Sequence, residues 1–124
     1  MQVKCPYCHR DAELVTGQVI YPTRPSFHNS YFWSCAPCAA YVGTHKGKKH
    51  KPLGTLANKF LRMLRCKAHE AFDRYWQAQR MRRSEAYNEL GEALGLPEGK
   101  CHIAMFDVET CHKVVDLYHW KGKR

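Results

Sequence analysis

The sequence lacks a long apolar run. Its 124 residues contain no stretch near the roughly 18 apolar residues that a membrane-spanning helix needs, and no apolar export segment stands at the N-terminus. Hydrophobic residues make up 44% and charged residues 25% of the chain, which is ordinary for a globular protein and argues against disorder. We therefore expect a folded, soluble, cytoplasmic protein with no membrane partner.

Acidic residues are also scarce. Eleven aspartates and glutamates accompany 20 lysines and arginines, which gives a formal net charge of +9. A positive surplus of this size in a small protein attracts polyanions, although it can also serve solubility alone. The charge balance predicts nucleic acid, or an acidic protein surface that resembles it, as the partner.

Two short cysteine pairs dominate the N-terminal half. Cys5 and Cys8, and then Cys35 and Cys38, are each separated by two residues. A C-x-x-C turn brings both sulfurs to one cation, and two such turns supply the closed thiolate tetrahedron of one structural zinc ion. Iron would suit the same ligands. Two disulfides or a redox site are alternatives, disfavoured by the missing export segment and by the strand-like surroundings of both pairs.

Residues 1–54 have the short strand patterns of a zinc ribbon. Segments 12–15 and 18–21 flank Thr16-Gly17, a pattern that predicts a β-hairpin. The prolines of residues 22–30 predict a loop.

Residues 31–34 and 40–42 predict two more strands, one on each side of the second cysteine pair. The first of them contains Tyr31, Phe32 and Trp33, which either stack on nucleic-acid bases or form a small core over the metal. We expect at least two of the three in the core.

Residues 55–124 change to a helical period. Apolar residues at spacings of three and four, Phe60 among them, form a stripe that predicts one helix over residues 56–79, or two joined near Asp73, with this stripe buried. The predicted fold class is therefore α+β. A four-cysteine zinc ribbon with a basic loop (1–54) is followed by a three-helix part (55–124), and the two together form one compact protein.

The other two predicted helices have N-cap signals. Ser84 precedes residues 85–94, which end at a glycine, and Asp107 precedes residues 108–119. Residues 121–124 predict a basic tail.

Two groups of basic residues are candidates for phosphate binding. One lies in the loop 45–51, which is either a phosphate-binding loop or a solvated linker, and the other follows the first predicted helix. With aromatic support near Tyr31 and Trp33, these groups predict salt-dependent binding to nucleic acid. The predicted nucleic-acid-binding residues are Lys46, Lys48, Lys49, Lys51, Arg80, Arg82 and Arg83.

The remaining cysteines lie close to histidines. They suggest a second metal site, although such cysteines more often pack in the core. The candidate ligands are Cys66, His69, Cys101, His102 and Cys111.

A metal-dependent nuclease is a further alternative. It would use His69, Asp73 and His102, yet the sequence contains no H-E-x-x-H arrangement with the expected partners. We therefore expect no enzymatic activity.

Several motifs resemble a family of small proteins from bacteria, prophages and phages, described as a zinc-finger-containing domain of unknown function. The resemblance covers nearly the whole chain. Its residues are Cys5-Pro6-Tyr7-Cys8, Ile20-Tyr21-Pro22-Thr23-Arg24-Pro25, Phe32-Trp33-Ser34-Cys35, Tyr41-Val42-Gly43, His45-Lys46-Gly47, Pro52-Leu53-Gly54-Thr55-Leu56-Ala57-Asn58, Ala68-His69-x-x-Phe72-Asp73-x-x-Trp76 and Cys101-His102-Ile103-x-Met105-Phe106-Asp107.

The resemblance implies a four-cysteine zinc finger at Cys5, Cys8, Cys35 and Cys38, with no established activity. It also implies a phage or prophage origin, hence the cytosol of a bacterium or of a phage-infected host. The basic stretch 45–51 is longer than the family pattern. The alternative function is that of a protein-binding module that modulates or inhibits a host nucleic-acid-processing or defence complex.

Overall fold

The computed structural model describes residues 1–97 and 99–121, with Trp120 and Lys121 described by their backbone only. Residues 122–124, most of the predicted basic tail, lie outside the described residues. The chain separates into two compact units, Met1–Phe60 and Leu61–Arg124.

The division follows Phe60, whereas the change of sequence period predicts it after residue 54. Residues 55–60, which lie between these two points, belong to the first unit. Leu56 is fully buried in the core of that unit, and Ala57 exchanges two backbone hydrogen bonds with Tyr41.

The first unit is built on a three-stranded antiparallel sheet. Its strands are β1 (Glu13–Thr16), β2 (Tyr31–Cys35) and β3 (Ala40–Gly43), in the spatial order β1-β2-β3. The strands predicted around the second cysteine pair are therefore confirmed. Side chains alternate between the two faces of a sheet, and in this sheet both faces are apolar.

One face of the sheet packs on the cysteines, and the other packs on aromatic rings. The aromatic face joins Tyr21, Phe27, Phe32 and Tyr41, whose neighbouring ring centroids lie 5.0 to 6.0 Å apart. The hydroxyls of Tyr21 and Tyr41 share a hydrogen bond of 2.6 Å. The core of the metal face consists of Cys5, Ala12, Trp33, Cys35, Ala40, Val42 and Leu56.

The predicted β-hairpin over residues 12–21 is wrong. After β1 the chain forms a short helix, α1 (Gly17–Ile20), and β1 pairs with β2 instead. The reason is the packing of Gly17: its N–H donates to Ser30 O at 2.8 Å, and a Cβ at this position would lie 1.7 Å from Phe27 O. The glycine is thus required for a close backbone approach, and the helical turn carries Tyr21 into the aromatic cluster.

The second unit contains the three long helices that the sequence predicts, the first of which begins two residues before the boundary between the units. They are α2 (Lys59–Ala78), α3 (Arg83–Leu94) and α4 (Val108–Lys121). Helix α2 is continuous through Asp73, and Phe60, predicted on its buried stripe, is 53% exposed. Among the residues that the structure describes, no helix is both long enough and apolar enough to cross a membrane.

The core of the second unit forms around Phe72. This ring is fully buried and lies 4.6 Å from the ring of Tyr87 and 5.7 Å from that of Tyr118. Arg65 is also buried, and its Nε donates to Phe106 O at 3.0 Å, which gives the charged group a hydrogen-bond acceptor inside the core.

The two predicted helix caps have different outcomes. Asp107 caps α4, because its Oδ1 accepts the N–H of Thr110 at 2.8 Å, and hydrogen bonds from Thr110 lower the pKa of this carboxyl. Ser84 is not a cap: α3 begins at Arg83, and the N-cap position is Arg82, which makes no side-chain cap hydrogen bond.

The packing of Gly17 leads to a prediction. Gly17→Ala is expected to destabilise the first unit by at least about 2 kcal/mol, because the new methyl group would overlap the Phe27 carbonyl and the backbone must move. The measurement is the free energy of unfolding of the metal-loaded protein in urea.

Gly91→Ala is the matched control. A Cβ at Gly91, inside α3, would meet its nearest atom at 3.5 Å, an ordinary contact. This variant should therefore gain up to about 1 kcal/mol of helix stability. Equal effects of the two substitutions would contradict the close approach at Gly17.

Candidate metal centre

The first cysteine pair lies on a tight turn between the ends of a short β-bridge. Lys4 and Asp11 form the bridge, and Cys5 N donates to Arg10 O at 2.9 Å. His9 N donates back to Cys5 O at 2.8 Å, and His9 has a φ of 64°. The turn therefore closes through a left-handed residue directly after Cys8.

The second pair has the same local design. Cys35 ends β2, residues Ala36–Cys38 form a single 3-10 turn, and Ala39 N donates to Ala36 O at 3.0 Å. Ala39, directly after Cys38, has a φ of 51°. Both turns thus reverse the chain at the residue that follows the second cysteine.

The turns bring the four sulfurs together. The Sγ atoms of Cys5, Cys8, Cys35 and Cys38 all lie within 4.8 Å of one another, and those of Cys8 and Cys35 are 3.6 Å apart. A tetrahedral zinc–thiolate site with Zn–S bonds of about 2.3 Å has sulfurs about 3.8 Å apart. None of the four cysteines forms a disulfide. The donor set and its spacing fit one zinc ion.

The surroundings shift the pKa values of Cys8 and Cys38 in opposite directions. A hydrogen bond from the backbone of Arg10 lowers the pKa of Cys8 to about 7. The pKa of Cys38 is raised to about 12, because its sulfur is hydrogen-bonded to that of Cys8 and is shielded from water. A bound divalent cation removes the repulsion between neighbouring thiolates. With all four positions taken by protein sulfur, the bound ion would serve structure.

The other candidate ligands are not brought together. Within residues 1–97 and 99–121, the four-cysteine cluster is the only group of three or more potential ligands close enough to share an ion. Cys66 is exposed, while Cys101 and Cys111 are buried, and burial raises the pKa of both of these thiols. The described residues thus do not bring together the ligands of the alternative second metal site.

The three residues of the nuclease alternative have the contacts and burial of residues that support the fold. Asp73 Oδ1 accepts the indole N–H of Trp76 at 2.8 Å, and burial lowers the pKa of His69. The ring of His102, which is exposed, lies 6.0 Å from that of Tyr87. The absence of enzymatic activity stays a prediction.

The lysine-rich segment is an ordered loop. Thr44 and Pro52 form a β-bridge at its base, and His45 N donates to Lys51 O at 2.9 Å. We call residues 45–51 the basic loop. Its side chains Lys46, Lys48, Lys49 and Lys51 are all exposed.

The basic loop is attached to the sheet through aromatic residues. The indole N–H of Trp33 donates to His50 O at 2.7 Å, and the His50 ring lies 4.5 Å from that of Tyr31. Trp33 itself is only 8% exposed, so it belongs to the core and has no face free for a base. With Phe32 also buried, two of the three aromatic residues lie in the core, as predicted.

The three predicted arginines belong to the second unit. All three are exposed: Arg80 and Arg82 lie in the turn that joins α2 to α3, and Arg83 is the first residue of α3. Arg82 Nε lies 3.8 Å from Glu85 Oε1, and Arg83 lies over the ring of Tyr87 at 5.5 Å. The predicted phosphate-binding residues are therefore divided between the two units.

A charge pattern in the sequence covers most of the first unit and the first nine residues of the second. Residues 14–69 contain nine lysines and arginines and no aspartate or glutamate, whereas the rest of the chain contains eleven of each. The whole net charge of +9 thus resides in this acid-free segment. Counting basic residues alone misses this signal, because it consists of missing acids.

The geometry defines the class of protein: a small domain held by a closed four-cysteine metal centre. The family described as a zinc-finger-containing domain matches residues 1–120, and the chain belongs to this family. The comparison with curated proteins finds no match, and neither does the comparison with solved structures.

Removal of the metal is expected to unfold the first unit and to leave the helices of the second in place. The four ligands all lie in the first unit, whose small sheet depends on them, while the second unit has its own core around Phe72. Hydrogen exchange before and after chelation measures this. Amides of residues 31–43 should lose protection, and those of 61–78 should keep it.

The matched pair of variants is Cys38→Ser and Cys66→Ser. The first should lose the metal and the second, exposed and outside the cluster, should retain one zinc per chain. Equal metal content in both variants would contradict the assignment.

The left-handed residue of the second turn gives another prediction. Ala39→Gly is expected to stabilise the metal-loaded protein by about 0.5 to 1 kcal/mol, because glycine adopts a φ of 51° without the clash of a Cβ. Ala36→Gly, in the same turn but without a positive φ, should be neutral or destabilising. Urea midpoints measure both, and a stabilising Ala36→Gly with a destabilising Ala39→Gly would show the prediction to be wrong.

Proposed function

We propose that this chain is a non-enzymatic zinc-ribbon protein that binds nucleic acid through its basic loop. The observation that carries the proposal is the ordered set of exposed lysines in residues 45–51. Arg80, Arg82 and Arg83 supply further phosphate contacts from the second unit.

The order of the loop supports binding. Two backbone contacts close its base, Lys51 N donates to Lys48 O at 2.7 Å inside it, and Trp33 holds the carbonyl of His50. A loop that is already formed loses less conformational entropy when it binds than a free linker does.

The electrostatics support binding as well. In the part of the chain that the structure describes, no ion pair occupies Lys46, Lys48, Lys49 or Lys51. The acid-free segment 14–69 also leaves no carboxylate within the surrounding sequence to repel a phosphate. When such lysines contact the phosphates of a nucleic acid, they displace the cations condensed there. This release makes binding strong at low salt.

The cytoplasm of a bacterium or of a phage-infected host is the compartment we propose, since it keeps thiols reduced for metal binding. An acidic surface on a host protein, such as a nucleic-acid-processing or defence complex, would contact the same lysines. The measurement below separates the two partners.

Reversal of charge in the loop tests the proposal. The double variant Lys48→Glu/Lys49→Glu is expected to weaken binding to every nucleic-acid sequence by more than about tenfold and to reduce the salt dependence by about one to two phosphate contacts. The measurement is fluorescence anisotropy with labelled DNA and RNA between about 50 and 200 mM salt.

The matched control is Lys100→Glu/Lys113→Glu. It changes the net charge by the same amount, on two exposed lysines of the second unit. It should leave binding within about twofold of wild type once the small long-range effect of charge is screened. Failure of the metal-loaded wild type to bind any nucleic acid in a salt-dependent way would refute the proposal and favour the acidic protein surface.

A further inference from the structure

Tyr31 lies at the base of the basic loop and remains accessible. It is the first residue of β2, where its backbone pairs with that of Thr16, and its side chain is 42% exposed. Thr44 directly precedes the loop, and its side-chain hydroxyl donates to Tyr31 O at 3.0 Å. At the other end of the loop, the His50 ring lies 4.5 Å from the Tyr31 ring.

These contacts place the Tyr31 ring against a residue of the basic loop. Lys49 and Lys51 flank His50 in sequence, so positive charges neighbour the residue that touches Tyr31. Of the two described aromatic residues shown in contact with the loop, Trp33 is buried in the metal-side core. Tyr31 is therefore the one that offers ring surface to a ligand.

We propose that the nucleic acid bound by the basic loop is single-stranded, with one base stacked on Tyr31 and the neighbouring phosphates on the loop lysines. The proposal rests on the function proposed above, and it covers single-stranded DNA and RNA alike, because every base has a π-face.

The preference follows from where a base can stack. In a duplex the faces of the bases already stack on one another, and a base must be unstacked and unpaired before its face is exposed. The lysines contact phosphates of either form, whereas Tyr31 gains a partner only from an unpaired base. Stacking on an aromatic side chain strengthens binding by about 5- to 150-fold per base.

The experiment compares Tyr31 variants of the zinc-loaded full chain. Anisotropy titrations use a labelled mixed-sequence DNA strand of about 16 nucleotides, the RNA strand of the same sequence, and the DNA strand annealed to its complement. Tyr31→Ala and Tyr31→Leu should each lose at least about fivefold in affinity for both single strands and change less than about twofold on the duplex. Tyr31→Phe, which keeps the ring, should bind as wild type does.

Two controls separate stacking from charge and from folding. The salt dependence of Tyr31→Ala should equal that of wild type, because no phosphate contact is removed, whereas that of Lys48→Glu/Lys49→Glu should fall. Phe60→Ala removes another aromatic side chain, 53% exposed at the start of α2, and should not alter binding. A content of one zinc per chain shows that each variant is folded around its metal.

The possible outcomes have distinct meanings. Equal losses on single strand and duplex, or no loss with Tyr31→Ala and Tyr31→Leu, would overturn the single-strand inference. If the lysine reversal still weakens binding in that case, the proposed function stands. Tight binding by Tyr31→Leu together with weak binding by Tyr31→Ala would also overturn it, since a leucine has no π-face. Absence of salt-dependent binding by wild type would overturn both proposals.

Discussion

The convergence of four cysteine sulfurs on one point is the constraint on which the first unit depends. Its sheet has three strands of four or five residues, and the core on the metal side consists of seven residues, two of which are ligands. Such a sheet buries too little apolar surface to be stable alone. A cation held by four thiolates joins the N-terminal turn to the β2–β3 connection and closes this core.

Trp33 carries the effect of the metal centre to the surface. Its side chain packs in the core that contains Cys5 and Cys35, and its indole N–H holds the carbonyl of His50 in the basic loop. The conformation of the basic loop therefore depends in part on the metal-side core. Loss of the metal would loosen Trp33 and, with it, the arrangement of the exposed lysines, so the structural ion and the proposed binding surface are linked without any direct contact between ligand and metal.

Local patterns predicted most of this architecture, and contacts distant in sequence decided the rest. Cysteine spacing, strand alternation around Cys35 and the helical period of the second half are properties of short windows. The role of Gly17 is set by the carbonyl of Phe27, and the order of the loop by a bond between residues 33 and 50. No local pattern contains these contacts, so the hairpin was predicted wrongly and the loop could not be told from a linker. The buried stripe was misplaced at Phe60 because the apolar period of α2 continues backwards into Leu56, a residue that packs in the metal-side core.

The distribution of charge gives the two units different electrostatic characters. The second unit carries most of the acidic residues of the chain, and several of its charges are used locally: Arg82 near Glu85, Lys113 near Glu109, and Arg65 on a backbone carbonyl. The first unit has only Asp11 and Glu13 as acids, and Asp11 is paired with Lys4 at 2.6 Å. A lysine attracts phosphate strongly only where no carboxylate competes for it. The absence of acidic residues from segment 14–69 therefore determines where a polyanion would bind at least as much as the lysines themselves do.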